Sequence, residues 1–454
     1  MNKLKQVWAS LRASLWFVPG IMIFISIALA LVLVEIDFRS GGVWLPDYPL
    51  VFGLGADGAR GMLTAIAGSM LTVAALAFSL TLNAVSQASG QFTPRIFRNF
   101  MRDRANQFVL GYFVSVFAFC LLVLRTIRGA DELRFVPSLA VMAGLLLALG
   151  GIVVLIFFIH HIAASLQITT ILDNITNETK EAVERLLPHA VGEGPVAGMQ
   201  REIWDTFEKN LWRKVLAERA GYVQNVDTDG LSEFASENGL LIKMCRGTGE
   251  YVGRGGVLAE VASSTSMRIV DADDVRSIRE LFNLASHRTI EQDIGYGIRQ
   301  IVDIALKALS SGVNDTTTAI NCIDKLGDIV SEIACRRMPG SITSTDDVAR
   351  VMIAAPGFAD YVETAFDQIR ISGRANQAVF ERLLSTLSFI GECTRASDRR
   401  AILSKQAELI GEYAAETLST AYERDRVARK LSEARRVLGG STGSDAAILE
   451  GKVN

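Results

Sequence analysis

Histidine is scarce in this sequence, with four residues in 454. None is spaced as a metal ligand would be, so a zinc site has little support. His160 and His161 are neighbours, and adjacent residues on a helix point about 100° apart, which keeps both from facing one ion. The five cysteines (Cys120, Cys245, Cys322, Cys335 and Cys393) are scattered without a C-x-x-C pair. That pattern argues against a disulfide framework and fits a reducing compartment. No G-x-S-x-G, no glycine loop ending in a phosphate-binding lysine, no H-E-x-x-H and no Cys/His pair is found, so neither an enzyme nor a bound cofactor is expected. Positive charge is also short over residues 166–454, where 34 Lys/Arg stand against 42 Asp/Glu. The resulting negative surplus disfavours nucleic acid as a partner.

The most telling absence is of any charge at all from four long runs, Trp16–Val34, Gly61–Val85, Gln107–Leu124 and Phe135–Ile159. Each is long enough to cross about 30 Å of hydrocarbon as a helix. The first lacks an A-x-A cleavage site and three more spans follow it, so it is not expected to be a cleaved signal peptide. Residues 1–165 carry 12 Lys/Arg against 7 Asp/Glu. A basic, hydrophobic membrane domain therefore precedes an acidic aqueous one. Lys3, Lys5 and Arg12, with Arg95, Arg98, Arg102 and Arg104, outnumber Arg39, Arg60, Arg125, Arg128 and Arg134 on the other side. This bias, together with the cysteines of the long tail, places both termini in the cytoplasm. Because no ionisable group lies within a run, ion-coupled or proton-coupled transport is disfavoured.

The second run stays uncharged from Gly61 to Pro94, 34 residues, or about 51 Å if helical throughout. Thr64, Gly68, Thr72, Ser79, Asn83, Ser86 and Gly90 recur at steps of three, four or seven and form one stripe. Two readings stay open: a face on which helices pack closely, or the neutral lining of a water-filled path through an oligomer. After the fourth run the helix is expected to continue through Leu166, Ile168, Ile171, Leu172 and Ile175.

Beyond the membrane the sequence changes period. "PHAVGEGPVAGMQ" (188–200) reads as a linker, and a helix is expected over Arg201–Ala220. "GYVQNV" and "GLLIKMCRGTGEYVGRGGVLAEV" alternate between glycines, as short strands with tight turns do. Their pattern resembles the half-motif of barrel-sandwich modules related to lipoyl domains. Lys243, however, sits inside a strand-like run rather than at a hairpin tip, so no carried lipoate or biotin is expected. From Val275 helices return. Ile298, Ile301, Val302, Ala305 and Leu309 share their offsets with Ala319, Cys322, Ile323, Leu326 and Val330. Two matching stripes joined by a short turn predict an antiparallel helical hairpin. Gly312 is placed to end its first helix, and Asn314 or Asp315 to cap its second. Further helices follow through Phe380, Leu383, Leu384, Leu387 and Ile390 and on to Leu438, before a tail expected to be disordered.

Within this part, R-T-x-x-Q-D followed by G-x-R-Q-x-V-D-I-A-x-x-A-L-S-x-G-x-N-D-x-x-T-A runs from Arg288 to Ala319. Arg288, Thr289, Gln292, Asp293, Gly297, Arg299, Gln300, Asp303, Asn314, Asp315, Thr318 and Ala319 carry the pattern. It resembles the signature of a bacterial predicted-membrane-protein family, domain of unknown function 2254. "SQASGQFTPR" and "GYVQNVD" resemble that family too, so the likeness spans nearly the whole chain. Ser311 and Thr316 stand where the family usually has prolines, which implies a looser corner here. The resemblance implies an architecture and a bacterial inner membrane, but no catalytic residue.

The fold expected is mainly α: a four-helix transmembrane domain (1–165), connecting helices and linker (166–218), a small β-rich barrel-like module (219–270), a helical cytosolic domain (271–438) and a tail (439–454). The expected partners are the lipid bilayer and further copies of the chain. Two functions remain open. One is an oligomeric pore with a cytosolic gate or assembly collar. The other is a scaffold or stress-response regulator whose cytosolic part binds a partner or small ligand. Arg288, Gln292, Asp293, Arg299, Asp303, Asn314 and Asp315 are the candidate polar network or ligand contact, and the stripe from Thr64 to Ser86 is the candidate lining.

Overall fold

The computed structural model describes residues 16–40, 55–91, 103–128, 135–165, 167–187, 212–263, 268–338, 342–345 and 348–439. The linker 188–200, residues 201–211 and the tail from 440 lie outside these. The chain divides into two compact units, Met1–Ile171 and Leu172–Asn454.

Four helices long and apolar enough to cross a membrane make up the described part of the first unit: α1 (Phe17–Ser40), α2 (Ala56–Gln91), α3 (Arg104–Thr126) and α4 (Ser138–Ser165). They reach beyond the uncharged runs, so Glu35, Asp37, Asp57, Arg60 and Arg125 fall on helix ends. Those ends are pinned crosswise. Asp37, at the end of α1, accepts from the Leu139 and Ala140 N–H groups at 3.2 and 3.1 Å, capping the start of α4. Arg60, in the first turns of α2, donates to the Ile127 carbonyl just past α3 at 3.1 Å. At the opposite rim His161, near the end of α4, lies 2.5 Å from Asp103, the N-cap of α3. Each contact joins one helix's end to another's start, so the four run up, down, up, down.

α2 is one unbroken helix of 36 residues, about 54 Å long at roughly 1.5 Å per residue. Its inner face is Ala59, Leu63, Ala67, Met70, Ala74 and Ala77, all buried against Val109, Phe113, Phe119 and Phe158 of α3 and α4. Small residues elsewhere permit the close approaches. A Cβ on Gly111 of α3 would come within 2.9 Å of the Pro19 backbone in α1. The Tyr112 hydroxyl, lying against Gly150, donates to the Leu147 carbonyl of α4 at 2.8 Å. α4 ends at Ser165 rather than continuing, and a separate helix α5 (Ile168–Leu186) begins.

In the second unit two sheets surround one core. The larger has strand order β1-β5-β3-β8-β7 and the smaller β4-β2-β6. The strands are β1 (Arg213–Leu216), β2 (Gly221–Val226), β3 (Leu240–Met244), β4 (Tyr251–Val252), β5 (Val257–Ser263), β6 (Phe282–Ala285), β7 (Ile342–Thr345) and β8 (Val348–Met352). They run past residues 219–270 on both sides, and α6 (Thr228–Asn238) lies among them. The helix expected over 201–220 is overturned at Arg213–Leu216, which pairs antiparallel with β5 and buries Val215. β8 joins from far downstream, pairing parallel with β3 through Ile242↔Val351. Lys243 lies in β3, opposite Glu260.

After α7 (Ala272–Glu280) come α8 (Ile294–Ala308) and α9 (Thr316–Cys335), then α10 (Phe358–Ser372), α11 (Gln377–Cys393), α12 (Ser397–Thr417) and α13 (Ala421–Gly439). The predicted hairpin stripes are buried apart from Leu309, which is half-buried at the C-cap of α8: Ile298, Ile301, Val302, Ala305, Ala319, Cys322, Ile323, Leu326 and Val330 are all 0% exposed. α5 belongs to this bundle through its later turns. Lys180 reaches Asp328 at 2.7 Å, and Thr179 fills the space above Gly297. All five cysteines are free.

Gly111→Val is expected to lower the thermal unfolding temperature of the full chain in detergent, because the obstructing atoms include the backbone of Pro19, which cannot swing aside.

Candidate functional site

Of the predicted polar residues, the structure brings Arg288 and Asp293 together most tightly. Arg288 donates from Nε to Asp293 Oδ2 at 2.7 Å and from Nη2 to Oδ1 at 3.0 Å. Such a two-pronged pair fixes both groups in plane. Asp293 is 7% exposed and is the N-cap of α8, where Oδ1 also accepts from the Tyr296 N–H at 2.9 Å. A carboxylate at a helix N-terminus meets the positive end of the helix dipole. The guanidinium lies 5.2 Å from the centre of the Tyr296 ring, over its face.

A further segment closes on this pair. Gly249 turns with φ +87 after β3, and its N–H donates to the Val223 carbonyl of β2 at 2.8 Å. A Cβ there would collide with the Asp293 carboxylate, so glycine is required both by backbone angle and by space. Tyr361 of α10 is buried nearby. Burial first, then the negative charges of Asp293 and Asp360, hold its phenol above the usual range and therefore protonated. Sheet turn, connecting loop and helix start thus converge on one ion pair. With both oxygens engaged, Asp293 is positioned to hold these segments rather than to act as a base.

The remaining candidates lie apart. Gln292 is half-buried in the turn before Asp293. Arg299 and Asp303 pair along α8 at 3.1 Å, as expected of residues four apart. Asp315 lies beyond the far end of that 15-residue helix, about 22 Å from Asp293 at roughly 1.5 Å per residue. Asp293, Asp303 and Asp315 therefore form no common centre. At the corner, Asp315 is an exposed N-cap, accepting from the Thr318 N–H at 3.0 Å and the Thr318 hydroxyl at 2.6 Å. The left-handed residue is Asn314 (φ 50), not Gly312, because asparagine tolerates that conformation through its short polar side chain. Thr316, at one of the two positions where the family usually has proline, accepts through its hydroxyl from the Asn376 amide at 2.8 Å. Burial pushes the Cys322 thiol up to about 12, with Asp315 and Asp324 adding to the rise, which keeps it protonated and unreactive.

The stripe on α2 is solvent-facing among the described residues. Thr64, Gly68, Thr72, Ser79, Asn83 and Ser86 are all exposed, and nothing lies within 4 Å of a Cβ built on Gly68. The Thr72 hydroxyl turns back onto the Gly68 carbonyl at 2.9 Å. Among the described residues no group of three or more His, Cys, Asp or Glu could hold a metal ion. His161 pairs with Asp103, and His160 is exposed.

Sequence reasoning passed over Gly249, Tyr296, Tyr361 and Asn106. Gly249 was visible only as one turn glycine among several. Tyr296 stands three residues past the capping Asp293, a spacing that could have been noticed. Tyr361 carries no local signal at all. Asn106, in the first turn of α3, has no sequence signal that sets it apart from an ordinary polar residue at a helix start.

The family model described as "Predicted membrane protein (DUF2254)" matches residues 12–388. An uncharacterized protein of Mycobacterium tuberculosis (strain CDC 1551 / Oshkosh) is 33% identical over 419 residues, which cover 90% of this chain and 78% of that protein. An uncharacterized protein of Mycobacterium bovis (strain ATCC BAA-935 / AF2122/97) is 32% identical over the same shares. No solved structure matches.

Arg288→Ala leaves the buried Asp293 carboxylate unpaired, and a loss of about 3 kcal/mol in unfolding free energy is expected. Asp293→Asn added to it should restore part of that loss. Asp315→Ala should cost only about 1 kcal/mol, the ordinary worth of a cap. Hydrogen bonds from the Thr318 hydroxyl and then its N–H lower the Asp315 pKa. Its contribution is therefore present at neutral pH, begins to fall below about 4 and is lost as pH drops through the lowered folded value. Unfolding curves of wild type and variant should converge there.

Proposed function

The chain belongs to the DUF2254 family of predicted membrane proteins, and from that premise we propose that it is an oligomeric permeation protein of the bacterial inner membrane. The second unit lies on the cytoplasmic side as a gate or assembly collar. The observation that carries this reading is the outward stripe on α2. The helix already packs within its subunit through a different face, that of Ala59, Leu63, Ala67, Met70, Ala74 and Ala77. A second face of small and hydroxyl-bearing residues gains little from lipid chains but allows close contact between helices of neighbouring copies. A ring of copies would set Thr72, Ser79 and Asn83 around a shared axis and give a neutral path.

A second reading is a non-transporting scaffold or stress-response regulator whose cytosolic part binds a partner or small ligand. One observation favours it. Gln300 of α8 is 3% exposed, and its buried amide oxygen has no hydrogen-bond partner among the described residues, an acceptor that a partner or ligand could satisfy only by displacing the side chains that cover it.

The two are separated by purifying the full chain in detergent, measuring its mass, and recording ion flux in liposomes. An oligomer with flux above empty liposomes is expected. A monomer, or no flux under any gating condition tried, would remove the permeation reading. Gly68→Leu should reduce the assembled fraction while leaving the thermal stability of the single subunit unchanged.

A further inference from the structure

Cys335 is the last residue of α9 and Cys393 the last of α11. The two helices start together, where the Asn376 amide donates to the Thr316 hydroxyl at 2.8 Å. At mid-length Thr386 of α11 fills the space above Gly327 of α9. They therefore run parallel, and two thiols 58 residues apart in sequence end side by side. Both are free, Cys335 exposed and Cys393 half-buried. Cys335 Sγ lies 2.9 Å from the Cys393 carbonyl oxygen. That oxygen is two covalent bonds from its own Cα, so the sulfur stands within about 5.7 Å of the Cys393 Cα. Bridged cysteines hold their Cα atoms roughly 4.4–6.8 Å apart, a separation within reach by side-chain rotation and a small shift of two helix ends.

The two sulfurs differ in a way that suits a sequential reaction. Of the five cysteines Cys335 is the exposed one, while Cys120 and Cys322 are buried, so an oxidant in solution meets Cys335 first. Burial first, then the nearby Cys335 sulfur and Glu392, raise the Cys393 thiol and keep it protonated at rest. The place also matters structurally. Arg399 of α12 donates to the Ile333, Ala334 and Arg336 carbonyls at 3.3, 2.6 and 2.7 Å. Arg336 donates in turn to the Leu187 carbonyl just past α5 at 3.1 Å. Ends of α5, α9 and α11 and the start of α12 thus meet beside the two thiols. In a reducing compartment such a pair rests as thiols and bonds only when an oxidant arrives.

We propose that Cys335 and Cys393 are a redox modification site, in which a hydroperoxide drives a reversible disulfide that fastens the ends of α9 and α11. With hydrogen peroxide, the Cys335 thiolate attacks one peroxide oxygen. An S–O bond forms, the O–O bond breaks, and the departing hydroxide takes a proton to become water. Cys335 is then a sulfenic acid, oxidised by two electrons while the peroxide is reduced. Cys393 gives up its proton and attacks the Cys335 sulfur. The S–S bond forms, the S–O bond breaks, and hydroxide leaves with that proton as a second water. Two thiols and one hydrogen peroxide yield one disulfide and two waters. The site is complete within one subunit and does not depend on permeation or on assembly.

The full chain in detergent, reduced and then freed of reductant, is treated with hydrogen peroxide, and its peptides are mapped by mass spectrometry without reduction. A linked Cys335–Cys393 peptide is expected, and dithiothreitol should return both thiols. The oxidised protein should unfold at a higher temperature, because the bond closes a long loop in the unfolded chain, and dithiothreitol should cancel the rise. In Cys393→Ser, Cys335 should accumulate as sulfenic acid, trapped by dimedone at least tenfold more than in wild type. In Cys335→Ser, Cys393 should stay a free thiol under the same treatment. Should either variant fail to fold, the wild-type map is read without it. Both thiols left free, either one bonded to another cysteine or to a second copy, Cys335 carried on to sulfinic acid beside an unreacted Cys393, or an unfolding temperature unmoved by oxidation would each overturn the proposal.

Discussion

A helix in hydrocarbon leaves its terminal N–H and C=O groups with no water to turn to, and the membrane unit is organised around meeting that demand at the helix ends. Asp37 serves the start of α4, Arg60 the end of α3, and Asp103 the start of its own helix while holding His161. Each charged residue is one that could not sit at mid-span. Placed at the rims, they specify which helix end neighbours which, and the alternating order of the bundle follows. Close packing between those pinned ends then relies on Gly111, Gly144 and Gly151 where the helices meet.

The second unit solves a different problem with similar chemistry. Its sheets and its helices are separate packing layers, and they are brought together at Arg288 and Asp293. A buried carboxylate is tolerable there because it receives two guanidinium bonds and a backbone N–H, and because the helix dipole favours it. Gly249 comes close to it from the sheet, and the carboxylate charge adds to burial in keeping the Tyr361 phenol protonated. The polarity of the R-T-x-x-Q-D stretch is thus used mainly for joining parts, while the N-D corner beyond it is a local cap. The two belong to one sequence pattern but to opposite ends of α8.

Much of this was legible in the residues alone. Four uncharged runs became four apolar helices, and the paired stripes of α8 and α9 became fully buried faces, because burial of a periodic apolar face needs no knowledge of the partner. Helix limits were less legible: charge marks where hydrocarbon ends, not where hydrogen bonding ends, so α1 and α2 extend past their uncharged runs. β1 was misread as helix because a strand of four residues is decided by its neighbour. β7 and β8 left no usable signal, since their place depends on a parallel pairing with β3 about a hundred residues away.

Sequence by itself determined the four spans and the hairpin of α8 and α9, readable from local periodicity, charge and spacing, and the family, readable from the Arg288–Ala319 pattern. Only the tertiary structure decided which face of α2 packs and which is left outward, since both faces hold small residues and differ only in what approaches them. It alone decided that Asp293 is engaged by Arg288, that Asp315 stands apart from it, and that the buried Asn106 amide has no hydrogen-bond partner among the described residues. Hydrogen-bond satisfaction is a property of the surroundings a residue meets, and those surroundings come from segments that the chain order keeps far apart.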